Sequence, residues 1–229
     1  MNRILINGQA SDTIPVYDRA FQYGDGLFET IAFRNGQLIY WREHLQRFNY
    51  GCDALALPVV PEKTWLADLE QLIDRQQDCV VKLIYSRGNG QRGYTIPDPP
   101  APLRSVMVSA MPGYSPDLYQ QGAHVKICKT PASINSRLAG IKHLNKLENI
   151  LARNEWSDKT VLEGIMLDDI GNVIEGTMTN VFGVKEGALY TPILKRSGVN
   201  GIIRQRVIDL AKAAGVVTQQ IEIKLEKLF

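Results

Sequence analysis

Ser136-Arg137-Leu138-Ala139-Gly140-Ile141-Lys142-His143-Leu144-Asn145-Lys146-Leu147-Glu148-Asn149-Ile150 is the stretch on which the rest of the chain turns. Ile141, Leu144, Leu147, Ile150 and Leu151 recur at helical spacing, which predicts an amphipathic helix from Lys142 to about residue 157. Gly140 lets the backbone turn tightly just before it. At such a helix start, an amine lies near the partial positive charge of the macrodipole and is easier to deprotonate. A lysine that acts as nucleophile or base needs such help, because an exposed one is almost fully protonated at neutral pH. On residue type alone, the same placement also suits a solvated lysine of a first helical turn.

A chain of 229 residues has room for one large domain or two small ones. Its 45% hydrophobic and 22% charged residues are ordinary for a soluble globular protein. A net charge of +2 without like-charge runs argues against a polybasic nucleic-acid surface. No apolar run is long enough to cross a bilayer, and Met1-Asn2-Arg3 leads into a strand pattern instead of a signal peptide. Cys52, Cys79 and Cys128 are odd in number and lack CxxC spacing, so neither a disulfide framework nor a metal site is indicated. A reduced, cytoplasmic setting follows.

Outward from Lys142, the chain alternates strand and helix patterns. Arg3-Ile4-Leu5-Ile6 enters a turn at Asn7-Gly8. Tyr23-Gly24-Asp25-Gly26-Leu27-Phe28-Glu29-Thr30-Ile31 begins a hairpin that returns through Leu38-Ile39-Tyr40-Trp41. Helical patterns cover residues 41–57 and 61–77, and His44 and Arg47 share a face of the first. Without other context, Arg47 is equally a surface arginine. Residues 79–85 read as a buried strand. The following Ser86-Arg87-Gly88-Asn89-Gly90-Gln91-Arg92-Gly93-Tyr94 lacks P-loop spacing and suits an anion-binding or merely flexible loop. Residues 103–110 form another strand, and Met111-Pro112-Gly113-Tyr114-Ser115-Pro116 is the best linker. This divides the chain into residues 1–111, a linker 112–122, and residues 123–229.

In the second half, residues 123–129 read as a strand, and connected hairpins span residues 164–192. Glu175 lies among apolar neighbours in a half-buried strand, where an unpaired carboxylate is costly and a cationic partner would offset the cost. The alternative is an edge-strand glutamate facing water. Gly198-Val199-Asn200-Gly201-Ile202-Ile203-Arg204 leads into a helix over residues 205–214, and such a turn offers free amides to an anion. A final strand covers residues 216–223.

The segment Ala139-Gly140-Ile141-Lys142-His143-Leu144-Asn145-Lys146-Leu147-Glu148 resembles the Schiff-base lysine segment of aminodeoxychorismate lyases. These are fold-type IV pyridoxal-phosphate (PLP) enzymes, kin to branched-chain and D-amino-acid aminotransferases. Matches at residues 23–30, 44–47, 175–182 and 200–204 follow in the family's order, so the resemblance covers the whole chain. It implies an α/β (α+β) protein of two domains: an N-terminal one with an antiparallel sheet, and a C-terminal one with a barrel-like sheet flanked by helices. Lys142 is then the PLP-binding and catalytic lysine. Glu175 of the Glu-Gly-x-x-x-Asn motif, which ends in Asn180, pairs with the pyridine nitrogen.

The resemblance also gives Arg47 to the PLP phosphate, a role suited to a planar, permanently charged donor. Backbone amides at Ile202 and Ile203 join it there. Aminotransferases carry Thr at the second of these positions, and Ile203 has no hydroxyl to offer. Phe28 forms an aromatic wall of the site. Arg92 is placed on a substrate carboxylate, with Arg87 and Tyr94 as supports, and the loop is closer to the lyase version than to the aminotransferase one. Members of the family usually continue past the point that matches Phe229, with another loop touching the phosphate.

The implied reaction converts 4-amino-4-deoxychorismate to 4-aminobenzoate and pyruvate for folate synthesis, in a homodimer, with a small molecule as substrate and neither nucleic acid nor membrane as partner. Two alternatives stay open at this point. One is a D- or branched-chain amino-acid aminotransferase; the other is a PLP-binding dimer partner without turnover.

Overall fold

The computed structural model describes residues 3–227; the expectations for both chain ends fall partly on Met1, Asn2, Leu228 and Phe229, which lie outside the described residues. The chain divides into two compact units, Met1–Gly113 with Lys142–Asn145, and Tyr114–Ile141 with Lys146–Phe229.

The first unit contains β1 (Arg3–Ile6), β2 (Gln9–Ala10), α1 (Arg19–Tyr23), β3 (Gly26–Arg34), β4 (Gln37–Leu38), α2 (Trp41–Ala54), α3 (Glu62–Leu72), β5 (Cys79–Ser86) and β6 (Leu103–Ala110). Its strands form an antiparallel sheet in the order β2-β1-β6-β5-β3-β4, as expected. Alternation along β3 buries Leu27, Glu29, Ile31 and Phe33 on one face, together with Val81, Leu83 and Tyr85 of β5.

Two helices cover that face. α2 buries His44, Phe48, Gly51 and Cys52, a set at helical spacing, and α3 buries Trp65, Asp68, Leu69 and Leu72. Phe48 and Trp65 meet edge to face at 5.5 Å, and Trp65 and Tyr85 at 6.2 Å. The other face of β3 carries Phe28 and Thr30. α1 was not foreseen; Asp18 caps it by accepting from the Ala20 amide at 2.8 Å. α3 stops at Leu72, short of the expected residue 77.

The second unit contains α4 (Leu118–Gln121), β7 (His124–Ile127), α5 (Leu147–Arg153), β8 (Val161–Leu167), β9 (Asn172–Gly176), β10 (Gly183–Lys185), β11 (Ala188–Pro192), α6 (Ile202–Ala213), β12 (Thr218–Ile221) and β13 (Ile223–Lys224). The strands form two sheets, β13-β9-β8-β7 and β10-β11-β12, which meet through β9 and β11 as a curled, barrel-like layer. Trp156, Met166, Ile174 and Ala152 fill one core; Ile165, Val173 and Ile223 fill another.

Two expectations for this region need correction. The helix predicted from Lys142 to residue 157 is only Leu147–Arg153. Residues 142–144 are not helical, because their backbone bonds to β3: the Phe28 amide donates to the Lys142 carbonyl at 3.0 Å and the Leu144 amide to the Gly26 carbonyl at 3.0 Å. Lys142 therefore gains nothing from a helix macrodipole. The strand expected to run from residue 173 to 182 ends at Gly176, because the next residues turn toward the buried carboxylate of Glu163. That carboxylate accepts from the amides of Thr177 and Met178 at 3.1 Å each and from the Thr179 hydroxyl at 3.0 Å.

Two carboxylates of the first unit make its stability depend on acid. Burial pushes the Asp25 carboxyl up, but bonds and charge from Arg87 and Arg19 outweigh it and hold its pKa low. Burial likewise pushes Glu29 up, and His44 and Arg47 hold it low. A folded pKa below the unfolded value gives stability that is complete above the ordinary carboxylate range and is lost as pH falls through the folded value. Urea-unfolding free energy is thus expected to be level from neutral pH down to about pH 5 and to fall below it. A curve that rises on acidification would contradict this.

Candidate active site

In the first unit, three stretches gather on the open face and edge of the sheet. β3 starts at Gly26, whose missing side chain lets the Leu144 Cδ1 methyl come within 2.8 Å of the position a Cβ would occupy. Gly24, at φ 67°, similarly admits Asn145, whose Nδ2 donates to the Gly24 carbonyl at 3.2 Å. The glycine punctuation at Gly24 and Gly26 thus serves close approach of the lysine segment and not a phosphate. This strap fixes Lys142, and its Nζ lies 4.2 Å from the centroid of the half-buried Phe28 ring. Such a cation–π contact is worth about 0.5–1 kcal/mol or somewhat more when desolvated.

Lys82 Nζ lies 5.4 Å from the same ring. Sequence reading missed Lys82. The available signal was a charged residue inside the otherwise apolar β5, at the alternation position that faces away from the core.

Arg47 projects from α2 toward the buried Glu29. Its Nε donates to Glu29 Oε1 at 2.8 Å and its Nη2 to Oε2, while His44 Nδ1 lies 2.6 Å from Oε2. Glu29 is thus the fixed point that orients both α2 side chains.

The loop after β5 rests on a second charged cluster. Asp25 Oδ2 accepts from Arg19 Nε and Arg87 Nε, each at 2.8 Å. Arg87 also donates to the carbonyls of Ala56 at 3.0 Å and Leu55 at 2.6 Å, which spends its guanidinium on holding the loop base. Arg19 does the same for the loop's far end, donating to the carbonyls of Gly93 at 3.0 Å and Tyr94 at 3.3 Å. Arg92 and Tyr94 are left exposed on this rigid base, and Tyr94 meets Tyr23 edge to face at 5.4 Å. Arg19 and Asp25 were not foreseen, because a charged residue beside a glycine turn reads as solvated.

In the second unit, Glu175 is buried on β9. Its Oε2 accepts from the Val199 amide at 2.8 Å and from Asn180 Nδ2 at 3.4 Å, and Asn180 Nδ2 also donates to the Val199 carbonyl at 2.9 Å. The two ends of the Glu-Gly-x-x-x-Asn motif thereby grip one loop, residues 198–201. Gly198 and Gly201 permit this, since a Cβ at the first would press on Leu194, Ile174 and Glu175, and at the second on Asn180. Lys146 has its pKa lowered by burial, against the opposing charge of Glu175.

Ile202 and Ile203 open α6, which starts three residues before the expected 205. Its N-terminus has neither a side-chain cap nor an acidic residue in the first turn. Such an end suits an anion.

A phosphorylated pyridine aldehyde needs an amine, a carboxylate for its ring nitrogen and donors for a phosphate dianion. Lys142, the buried Glu175, and Arg47 with the uncapped start of α6 are groups of those three kinds, so the residues present fit PLP.

The sequence model of the amino-transferase class IV family matches residues 26–229. The chain is 32% identical over 223 residues to an aminodeoxychorismate lyase of Vibrio harveyi, covering 97% of this chain and 82% of that protein. It is 31% identical over 237 residues to a putative branched-chain-amino-acid aminotransferase of Methanocaldococcus jannaschii, covering 99% and 81%. Among solved structures, a 4-amino-4-deoxychorismate lyase from Pseudomonas aeruginosa superposes with a TM-score of 0.93 at 38% identity, over 98% of this chain and 83% of that one.

Proposed function

Since the chain belongs to the amino-transferase class IV family, we propose that it is a PLP-dependent lyase that converts 4-amino-4-deoxychorismate to 4-aminobenzoate and pyruvate. The observation that carries this reading is the whole-chain likeness to the Pseudomonas lyase, both in sequence and in fold.

PLP, when bound, supplies a sink for the negative charge that develops on the substrate carbon. The chain's own residues do the rest. Lys142 Nζ would be the amine that holds the cofactor's aldehyde, and as a free amine it would be the base for the proton on the amine-bearing ring carbon. Aromatisation of the ring accompanies loss of the enolpyruvyl group. General acid–base help of that kind is worth roughly 10²–10⁴ in rate. Glu175 keeps the ring nitrogen protonated, with Val199 N–H and Asn180 fixing the carboxylate. Arg47 and the amides at Ile202 and Ile203 hold the phosphate. Phe28 forms a wall beside Lys142.

The substrate carries two carboxylates, and Arg92 and Lys82 are cations suited to them. Arg92 stands on the loop that Arg19, Asp25 and Arg87 make rigid, with Tyr94 beside it. Ile14, Val16, Tyr17, Phe21, Tyr94 and Ile96 are large exposed apolar residues of the same unit, which supports a homodimer in which a second copy covers them. Among the described residues, no helix is long and apolar enough to cross a membrane. Cys52, Cys79 and Cys128 are free, buried thiols, and burial pushes Cys52 up to about 12. Unreactive reduced thiols suit the cytoplasmic setting this reading assigns.

The rival with a specific relative behind it is an aminotransferase. Purified protein with PLP and 4-amino-4-deoxychorismate is expected to release 4-aminobenzoate, read by its fluorescence, and pyruvate in equal amounts. Amino-group exchange between D-alanine or a branched-chain amino acid and 2-oxoglutarate, with no 4-aminobenzoate formed, would reject the lyase in favour of the aminotransferase.

A further inference from the structure

Arg204 lies in the first turn of α6 and is buried, with 4% of its surface exposed. Its guanidinium donates from Nη1 to Asn200 Oδ1 at 3.2 Å, from Nη2 to the Pro192 carbonyl and Gln220 Oε1 at 2.9 Å each, and from Nε to Thr191 Oγ1 at 3.3 Å. Every one of these acceptors is neutral. A cation in the first turn also opposes the macrodipole, and no acidic residue of that turn compensates for it. Burial lowers the Arg204 pKa, with the charge of Glu175 acting against that. A charged group so placed costs stability in the empty protein, and such local conflicts concentrate where a ligand completes the site.

The bond to Asn200 links this cation to the loop that Glu175 and Asn180 grip. The Asn200 amide donates to the Gly140 carbonyl at 3.1 Å, and the Gly140 amide donates to the Gly198 carbonyl at 2.8 Å. The loop is therefore tied at Val199 by Glu175, at Asn200 and Gly198 by Gly140, and at the Asn200 side chain by Arg204.

We propose that Arg204 is a positioning residue for the phosphate subsite. It holds Asn200, and through it the loop, in the shape that directs the first amides of α6 at a phosphate dianion, and its charge adds to the field there. This inference rests on the PLP reading given above.

The test uses apoenzyme and two probes, PLP and pyridoxal, which lacks the phosphate. Arg204→Gln is expected to weaken PLP about ten- to a hundredfold, the scale of one lost charge-assisted interaction. Pyridoxal is expected to bind the variant within about twofold of wild type, since it does not use the subsite. Inorganic phosphate is expected to raise the melting temperature of wild-type apoenzyme more than that of the variant. Equal weakening of both probes, or of neither, would overturn the proposal. Should Arg204→Gln not fold, Gln220→Met removes a single acceptor and leaves the guanidinium; it is expected to weaken PLP several-fold, on the order of one neutral hydrogen bond, and to spare pyridoxal. Wild-type apoenzyme that binds neither probe would instead bring down the PLP reading itself.

Discussion

Lys142→Ala is expected to abolish 4-aminobenzoate formation, with a loss beyond about 10⁴-fold because attachment and proton transfer disappear together. The visible absorption of the PLP-loaded protein should vanish in the same variant. The fold should persist, because the strap is held by its backbone and not by this side chain. The Phe28 amide bonds to the residue-142 carbonyl and the Leu144 amide to the Gly26 carbonyl, and both survive truncation. The side chain itself contributes the contact to Phe28, about 0.5–1 kcal/mol or somewhat more. The apoprotein of the variant should therefore still melt cooperatively. Activity that survives in Lys142→Ala would transfer the chemistry to another amine, and Lys82, which shares the Phe28 ring, would be the first to examine.

Lys142 can be singled out from the sequence, while its setting cannot. The helical spacing of Ile141, Leu144, Leu147 and Ile150 is satisfied in two different ways. Leu147 to Arg153 do form a helix, but Leu144 packs by Gly26, and residues 142–144 bond to β3. A local period cannot tell these apart, because the partner that decides lies far away along the chain. The same limit moved the end of β9. Alternation from Val173 to Phe182 predicts one long strand, and a carboxylate on the neighbouring strand, Glu163, draws residues 177–179 into a turn.

The alternating strands and amphipathic helices of the first unit were readable, since each buries one face against a partner in the same unit. Clusters of buried charge were not. Asp25 with Arg19 and Arg87, and Arg204 among neutral acceptors, look from their neighbours in sequence like solvated surface residues. Glu29 alternates with Leu27 and Ile31 and lies with them on the core face. Only its partners on α2 explain why a carboxylate is tolerated there.

That dependence predicts the largest change in stability. Glu29→Ala removes the buried carboxylate to which both Arg47 and His44 bond and leaves a cavity in its place. Breaking a buried pair from one side typically costs about 3–5 kcal/mol, because the remaining charge is uncompensated. At about 2–4 °C per kcal/mol, the melting temperature should fall by roughly 6–20 °C. Glu29→Gln should cost less, since its amide oxygen still accepts from one of the two donors and only the charge is lost. The double variant Glu29→Leu/Arg47→Leu removes both charges and fills the space with apolar atoms. It should therefore be more stable than Glu29→Ala alone, although it gives up the arginine assigned to the phosphate. Thermal melts of the apoproteins, free of any cofactor contribution, decide the point. If the double variant melts lower than Glu29→Ala, the cost lies in lost packing and not in an orphaned cation, and Glu29 is a filler of the core instead of the anchor that aims Arg47.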